Sequence, residues 1–349
     1  MAVSKLSAKQ PWTAVWTPGV NLVNFYNLYD SKGDVTISTA TSIPTTLDGP
    51  IQVARYGALT VNAALSASQR CRGLMPLCDS LSVGAAGSIS MTARGAAGSK
   101  NWAVDRDIFV PQSITFTGRN TSYADFLKWI RQTGYCIFDP TLYACPLPGM
   151  GDVTCDWATW TPYGSTIISA AGCGIGGAYS YAAVTGSYQG ASGTAGVSGA
   201  PGGGGAGRYN GPSSAAVNGG GANGHRWGGG AGGGGSYNSS SAALTRSAHP
   251  DGGIAGVGAS AGDGGLGGGI LIVIALGSVS LTGGHALTAN GLAGTTVNST
   301  EGGGGGGGSV AMIYGGSLTG TPNLTASGGT PNGGAGSTQA KTFAYMGWS

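Results

Sequence analysis

The chain has 349 residues, of which 71 are glycine and only 8% are charged, against roughly 25% in an ordinary domain. A net charge of +3 is too small and scattered to indicate nucleic-acid binding, and glycine without a strict G-X-Y period excludes collagen. The longest apolar run, residues 270–276, is far shorter than the roughly 20 residues of a membrane-spanning helix. We therefore expect no membrane span, no signal peptide, and a chain made in the cytoplasm.

Residues 1–50 combine aromatic residues, among them Trp12, Trp16 and Tyr29, with turn formers. Exposed aromatic area is unfavourable, so we interpret this segment as an N-terminal arm or attachment segment that packs on a neighbour.

Residues 51–164 are predicted to form a β-rich domain with one helix over residues 122–133. Tyr123, Phe126, Leu127 and Ile130 would share one helix face, and Gly134 would end the helix. The predicted strands are 51–56, 58–65, 81–84, 87–93 and 113–117.

The six cysteines lie before the main glycine-rich tract, and they include no C-x-x-C pair and no neighbouring histidine. This spacing argues against zinc. We interpret the cysteines as buried free thiols, with disulfides in an assembled particle as the alternative.

Residues 165–349 are predicted to form a glycine-rich repeat domain. The five-residue pattern of an apolar residue, a hydroxyl residue, alanine, a variable residue and glycine recurs. Its copies are LTANG at 287–291, LTASG at 324–328, MTARG at 91–95 and ISAAG at 168–172. The first two copies each follow a glycine run and two short strand-like stretches. Such a repeat is typical of stacked supersecondary units.

Seven consecutive glycines, residues 302–308, run directly into the strand-like residues 310–314. A flexible linker is one interpretation, but low charge and bare apolar segments would make such a linker aggregate. A phosphate-binding loop is another, but the Gly-Lys-Ser/Thr of a Walker motif is absent. The third interpretation is a packed glycine backbone, in which extended polyproline II-type segments lie side by side and bond to one another. We favour this third interpretation.

Glycine runs with GGG…ILIVI…LTANG, and CRGL followed by SISMTARG, resemble the glycine-rich tail-fibre and virion proteins of bacteriophages. The glycine-rich part is similar to the distal tail-fibre adhesins of T-even-type phages. The resemblance implies a sandwich of polyglycine II helices and receptor binding by loops between them. It covers about residues 172–336 and 70–98.

Candidate ligand-binding residues are His225, Arg226 and Trp227 in NGHRWGGG, together with Tyr209 and Tyr237. Tryptophan can stack on a sugar face, and arginine or histidine can donate hydrogen bonds to it. Tyrosine among glycine, serine and asparagine is typical of adaptable binding loops. The structural alternative is a loop held by one buried tryptophan, with tyrosines filling space between glycine segments.

An enzyme is a third possibility, because Asp105 and Asp107 would share one strand face and could act as paired carboxylates. A solvated strand edge explains the same pair, so we expect no enzyme, catalytic residue, metal or cofactor.

The sequence thus predicts a mainly β, elongated, homo-oligomeric virion protein, such as a trimer, with a polyglycine II or β-solenoid-like domain. Its expected function is that of a phage tail fibre or surface appendage. Expected partners are other copies, neighbouring virion proteins, and a host surface glycan or outer-membrane protein. A purely structural capsid, collar or fibre-shaft subunit is the alternative, and a polysaccharide-degrading enzyme is the third.

Overall fold

The computed structural model describes residues 29–47, 52–71, 73–95, 192–193, 195–196, 202, 204–205, 208–209, 263–282, 286–297 and 300–346. These residues form mostly parallel strands and one short helix, α1 (Phe343–Met346). The predicted mainly β class is confirmed for this part of the chain. The predicted helix 122–133 and strand 113–117 lie outside the described residues.

The strands in chain order are β1 (Val35–Ile37), β2 (Thr41–Ile43), β3 (Gln52–Val61), β4 (Ala64–Ala67), β5 (Leu74–Val83), β6 (Ser88–Ser90), β7 (Arg208–Tyr209), β8 (Ile270–Ala275), β9 (Val279–Leu281), β10 (Ala286–Thr288), β11 (Thr296–Val297), β12 (Thr300–Glu301), β13 (Ser309–Tyr314), β14 (Leu318–Thr319), β15 (Asn323–Thr325) and β16 (Ser337–Thr342).

Two parallel sheets grow strand by strand in chain order. The larger sheet follows the order β1-β3-β5-β8-β13-β16, with β9 and β14 continuing the β8 and β13 rows. The smaller sheet follows the order β2-β4-β6-β10-β15. The consecutive pairs β1–β2, β3–β4 and β5–β6 each place one strand in each sheet. The runs β8–β10 and β13–β15 each place two strands in the larger sheet and one in the smaller. A third, antiparallel sheet joins β11, β12 and β7.

The core lies between the two parallel sheets. Leu59 and Val61 on β3 alternate with less buried residues, and they belong to the same buried cluster as Leu65 on β4 and Ile89 on β6. All four side chains are at most 1% exposed. This alternation of apolar and small polar residues is what the sequence pattern of a strand with one buried face predicts.

Strand β5 is longer than expected. Only residues 81–84 are predicted as a strand, whereas β5 extends from Leu74 to Val83. Pro76, which has no amide hydrogen to donate, is opposite Ala54 on β3. The β5 residues Leu74, Leu77 and Cys78 pair with β8. Residues 52–56 and 58–61 of the predicted strands 51–56 and 58–65 form one strand, β3, while residues 64–65 begin β4. Residues 35–43 of the predicted arm contribute β1 and β2.

The sheets continue without interruption across the insertion of residues 96–262. Strand β6 pairs with β10, and Gly95 donates its N–H to the carbonyl of Gly267 at 2.8 Å. Strands from the predicted β-rich and glycine-rich domains therefore share both sheets. The predicted boundary between these domains, at residues 164 and 165, lies outside the described residues.

The recurring five-residue pattern marks paired positions in the smaller sheet. Leu287 of LTANG pairs with Leu324 of LTASG, and Thr288 pairs with Thr325. The MTARG copy is displaced by two residues, because Leu287 pairs with Ile89 rather than Met91. Serine and threonine side chains bond across this face: Thr288 Oγ1 donates to Ser90 Oγ at 2.7 Å. These cross-strand bonds help to fix the register of the strands.

Candidate functional site

Most of the described glycine-rich residues form one packed unit, which we call the glycine bundle. It consists of residues 263–269, 289–295, 302–308 and 326–336, with shorter contributions from the described residues between 192 and 205. Residues 302–308 are all buried and lead directly into β13. They form the central segment of the bundle.

One side of the central segment bonds to residues 289–295 at every third residue. The bonds run from Gly302 N to Thr295 O (3.0 Å), Gly305 N to Leu292 O (2.9 Å) and Gly308 N to Ala289 O (2.7 Å). Acceptor numbers fall as donor numbers rise, so these two segments are antiparallel.

Other neighbours bond to the same segment with the same spacing. Parallel neighbours give Gly265 N to Gly303 O (2.8 Å), Gly268 N to Gly306 O (2.9 Å), Gly304 N to Pro331 O (2.6 Å) and Gly307 N to Gly334 O (2.8 Å). An antiparallel neighbour from the insertion gives Gly202 N to Gly307 O and Gly205 N to Gly304 O, both 2.8 Å. The central segment is thus hydrogen-bonded to neighbours in several directions, which satisfies backbone groups that are buried from water.

Side chains cannot be accommodated between these backbones. A Cβ built on Gly305 would overlap the carbonyl group of Leu266, and one on Gly308 would overlap the carbonyl oxygen of Gly269. Glycine is required at these two positions because the neighbouring chains approach closely.

One end of the bundle holds Tyr209, the only predicted ligand-binding residue within the described ranges. Tyr209 pairs with Thr300, and Arg208 pairs with Glu301, through the β7–β12 ladder. At the same end, Asp263 N donates to Thr295 Oγ1 at 2.7 Å, and Thr295 N donates to the carbonyl of Asp263 at 2.9 Å. Tyr209 and Asp263, which flank residues 210–262 in the sequence, therefore lie at the same end of the bundle.

Residues 210–262 therefore connect two neighbouring points of the bundle. The predicted ligand-binding residues His225, Arg226, Trp227 and Tyr237 belong to this connection and lie outside the described residues, as do Asp105 and Asp107. Asp263 and Thr295 at the bundle end were not among the predicted binding residues. The sequence did contain one indication of this end of the bundle. Glu301, the only glutamate of the chain, directly precedes the glycine run and pairs with Arg208.

Cys71 and Cys78 are both buried thiols. Burial raises the pKa of the Cys78 thiol to about 12, with a smaller contribution from the negative charge of Asp79. The thiol lies 3.7 Å from the carbonyl oxygen of Ile274, to which it donates. Because the thiolate is the reactive form, Cys78 has the character of an inert packing residue rather than a nucleophile.

We expect an alkylating reagent at pH 8 to leave Cys71 and Cys78 unmodified in the native protein, and to modify both in urea. An unfolded thiol has a pKa of about 8.5, so the native state retains the Cys78 proton at higher pH. The stability that the protonated Cys78 contributes is therefore fully present below about pH 8.5, the pKa of the unfolded thiol. It is lost as the pH rises from there towards the native pKa of about 12. Peptide mass spectrometry would measure the modification, and rapid labelling of native Cys78 would contradict its burial.

Within the described ranges, no helix is long and apolar enough to cross a membrane, and no three histidine, cysteine or acidic residues are grouped as a metal site. The arrangement offers a hydrogen-bonded backbone scaffold with Tyr209 and Asp263, which flank residues 210–262, at one end. No protein-family model, no curated protein and no solved structure matches the chain.

Proposed function

We propose that the chain is a tail-fibre or surface-appendage protein of a bacteriophage virion that binds a host receptor through residues 210–262. The observation that carries this proposal is the three-residue spacing of the hydrogen bonds in the glycine bundle. That spacing supports the resemblance to phage adhesins, because it matches the repeat of polyglycine II helices.

A polyglycine II segment has three residues per turn and rises about 3.1 Å per residue, so the seven glycines 302–308 would span about 22 Å. Bonds at every third residue are what such a helix offers to each neighbour. Two parallel sheets to which successive segments of the chain add strands in order are consistent with β-solenoid-like stacking. Together these features support the proposal of an ordered backbone scaffold that ends beside Tyr209 and Asp263.

Binding residues in proteins are commonly carried by loops that a rigid scaffold positions. Residues 210–262 are flanked by Tyr209 and Asp263, and both flanking residues are hydrogen-bonded at one end of the bundle. Trp227 and Tyr237 would supply contact area, while His225 and Arg226 would donate hydrogen bonds. The expected receptor is a host surface glycan or outer-membrane protein, bound by a homo-oligomer within the virion.

Replacing residues 210–262 with a short Gly/Ser linker from Tyr209 to Asp263 tests the proposal. The variant should retain the strand content of the native protein and lose its ability to compete with whole virus for host cells. The circular dichroism spectrum checks the fold, and adsorption of labelled protein to cells checks binding.

The same linker inserted between Ala85 and Ala86, in the exposed turn that joins β5 to β6, is the matched control and should leave adsorption unchanged. Normal adsorption by the loop-replaced variant would contradict receptor binding by residues 210–262. Failure of both the native protein and the variant to adsorb would favour a purely structural virion subunit.

A further inference from the structure

We propose that the glycine bundle is a force-bearing joint, which holds residues 210–262 against tension directed along the bundle. This inference rests on the proposed function, because residues 210–262, when attached to a cell, would be pulled away from the virion. The property inferred here is a different one from receptor binding, namely the mechanical resistance of the glycine bundle.

Tension that enters at Asp263 passes directly into the larger sheet. Residues 263–269 continue into β8 without a break, just as residues 302–308 continue into β13. Gly265 and Gly268 bond to residues 303 and 306, and β8 then pairs with β13 from Ile270 opposite Ser309 to Ala275 opposite Tyr314. The glycine segment and the strand therefore form one continuous line of bonds perpendicular to the pull.

Tension that enters at Tyr209 reaches the same central segment from the other side. The β7–β12 pairing at residues 208–209 is followed by the bonds of Gly205 to Gly304 and of Gly202 to Gly307. Tension at either flanking residue, Tyr209 or Asp263, thus loads the bonds of residues 302–308 in shear. Sliding any segment along its axis requires several backbone bonds to break together, each of which is costly to leave unmade when buried.

The edge of the larger sheet offers a contrasting geometry. Strand β16 pairs with β13, and its side chains are all partly or fully exposed, with Lys341 among them. A pull across the sheet at the end of β16 would break its bonds one after another. The same type of bond should therefore resist far less force there.

Single-molecule force spectroscopy on the full chain tests the inference. One handle is placed in the exposed turn at Ala85 and Ala86, and the second directly before Asp263 for an axial pull. The control places the second handle at Ala344, which is exposed in α1 just beyond β16, for a lateral pull. We expect the axial rupture force to exceed the lateral force by about twofold or more at the same loading rate.

Gly305→Ala should lower the axial rupture force and leave the lateral force unchanged, since its methyl group would separate the central segment from Leu266. An axial force equal to or below the lateral force in the native sequence would overturn the inference, whether or not the variant folds. The measurement uses no cells, so its outcome is separate from the adsorption test. A strong joint without adsorption would contradict the proposed function alone, and a weak joint with normal adsorption would contradict this inference alone.

Discussion

Replacing Gly305 with alanine is expected to destabilise the protein by about 3 kcal/mol, which is large for one added methyl group. The new Cβ would overlap the carbonyl group of Leu266 and lie 2.7 Å from the amide nitrogen of Gly267. Both obstacles are backbone atoms, so no side-chain rotation can relieve the overlap. The segment would have to move away, which would also weaken the bonds of Gly305 to Leu292 and of Gly329 to Gly305.

Urea denaturation followed by circular dichroism would measure this loss. Ala293→Ser adds one atom at an exposed position in the segment adjacent to Gly305, and should change the free energy of unfolding by less than about 0.5 kcal/mol. If the two variants unfolded at the same urea concentration as the native protein, residues 302–308 would not be packed in solution as described.

Replacing Leu65 with alanine is expected to cost about 3 kcal/mol of stability. Leu65 is fully buried on β4, between Thr41 of β2 and Ile89 of β6, and it contributes to the core between the two sheets. Truncation removes buried apolar area and leaves a cavity that the flanking strands cannot fill without losing their register.

The chain supplies a matched control for this substitution in Leu47, which is 58% exposed. Leu47→Ala makes the same chemical change outside the core and should shift the free energy of unfolding by less than about 0.5 kcal/mol. Thermal melts of the two variants give the comparison directly. Equal melting temperatures would show that the smaller sheet does not cover a packed core.

Local patterns in the sequence predicted local features of the fold. Leu287 pairs with Leu324, and these two residues are equivalent positions of the LTANG and LTASG copies that the sequence displays. The glycine run at 302–308 was predicted to lie against other backbones, and its bonds to residues 289–295 have that form. Both features depend on residues that lie within about 40 positions of one another in the sequence.

Long-range neighbours could not be predicted in the same way. Nothing in residues 74–83 indicates that β5 pairs with β8, because parallel pairing carries no turn signal and the two strands are separated by residues 96–262. Pro76 further concealed β5, since proline normally argues against a central strand. The candidate site was only partly predicted for the same reason: Tyr209 lies beside Thr300 through a long-range ladder that composition does not reveal.

The order of the strands also has a consequence for biosynthesis. The units that end at β6 are made first, and their next partners, β8 and β10, leave the ribosome only after residues 96–262. At translation rates of about 5–20 residues per second, the β5 and β6 edges lack these partners for on the order of ten seconds. During that interval the nascent chain carries an apolar strand edge without its partner. Chaperone binding or slow collapse of the nascent chain would have to protect this edge from aggregation.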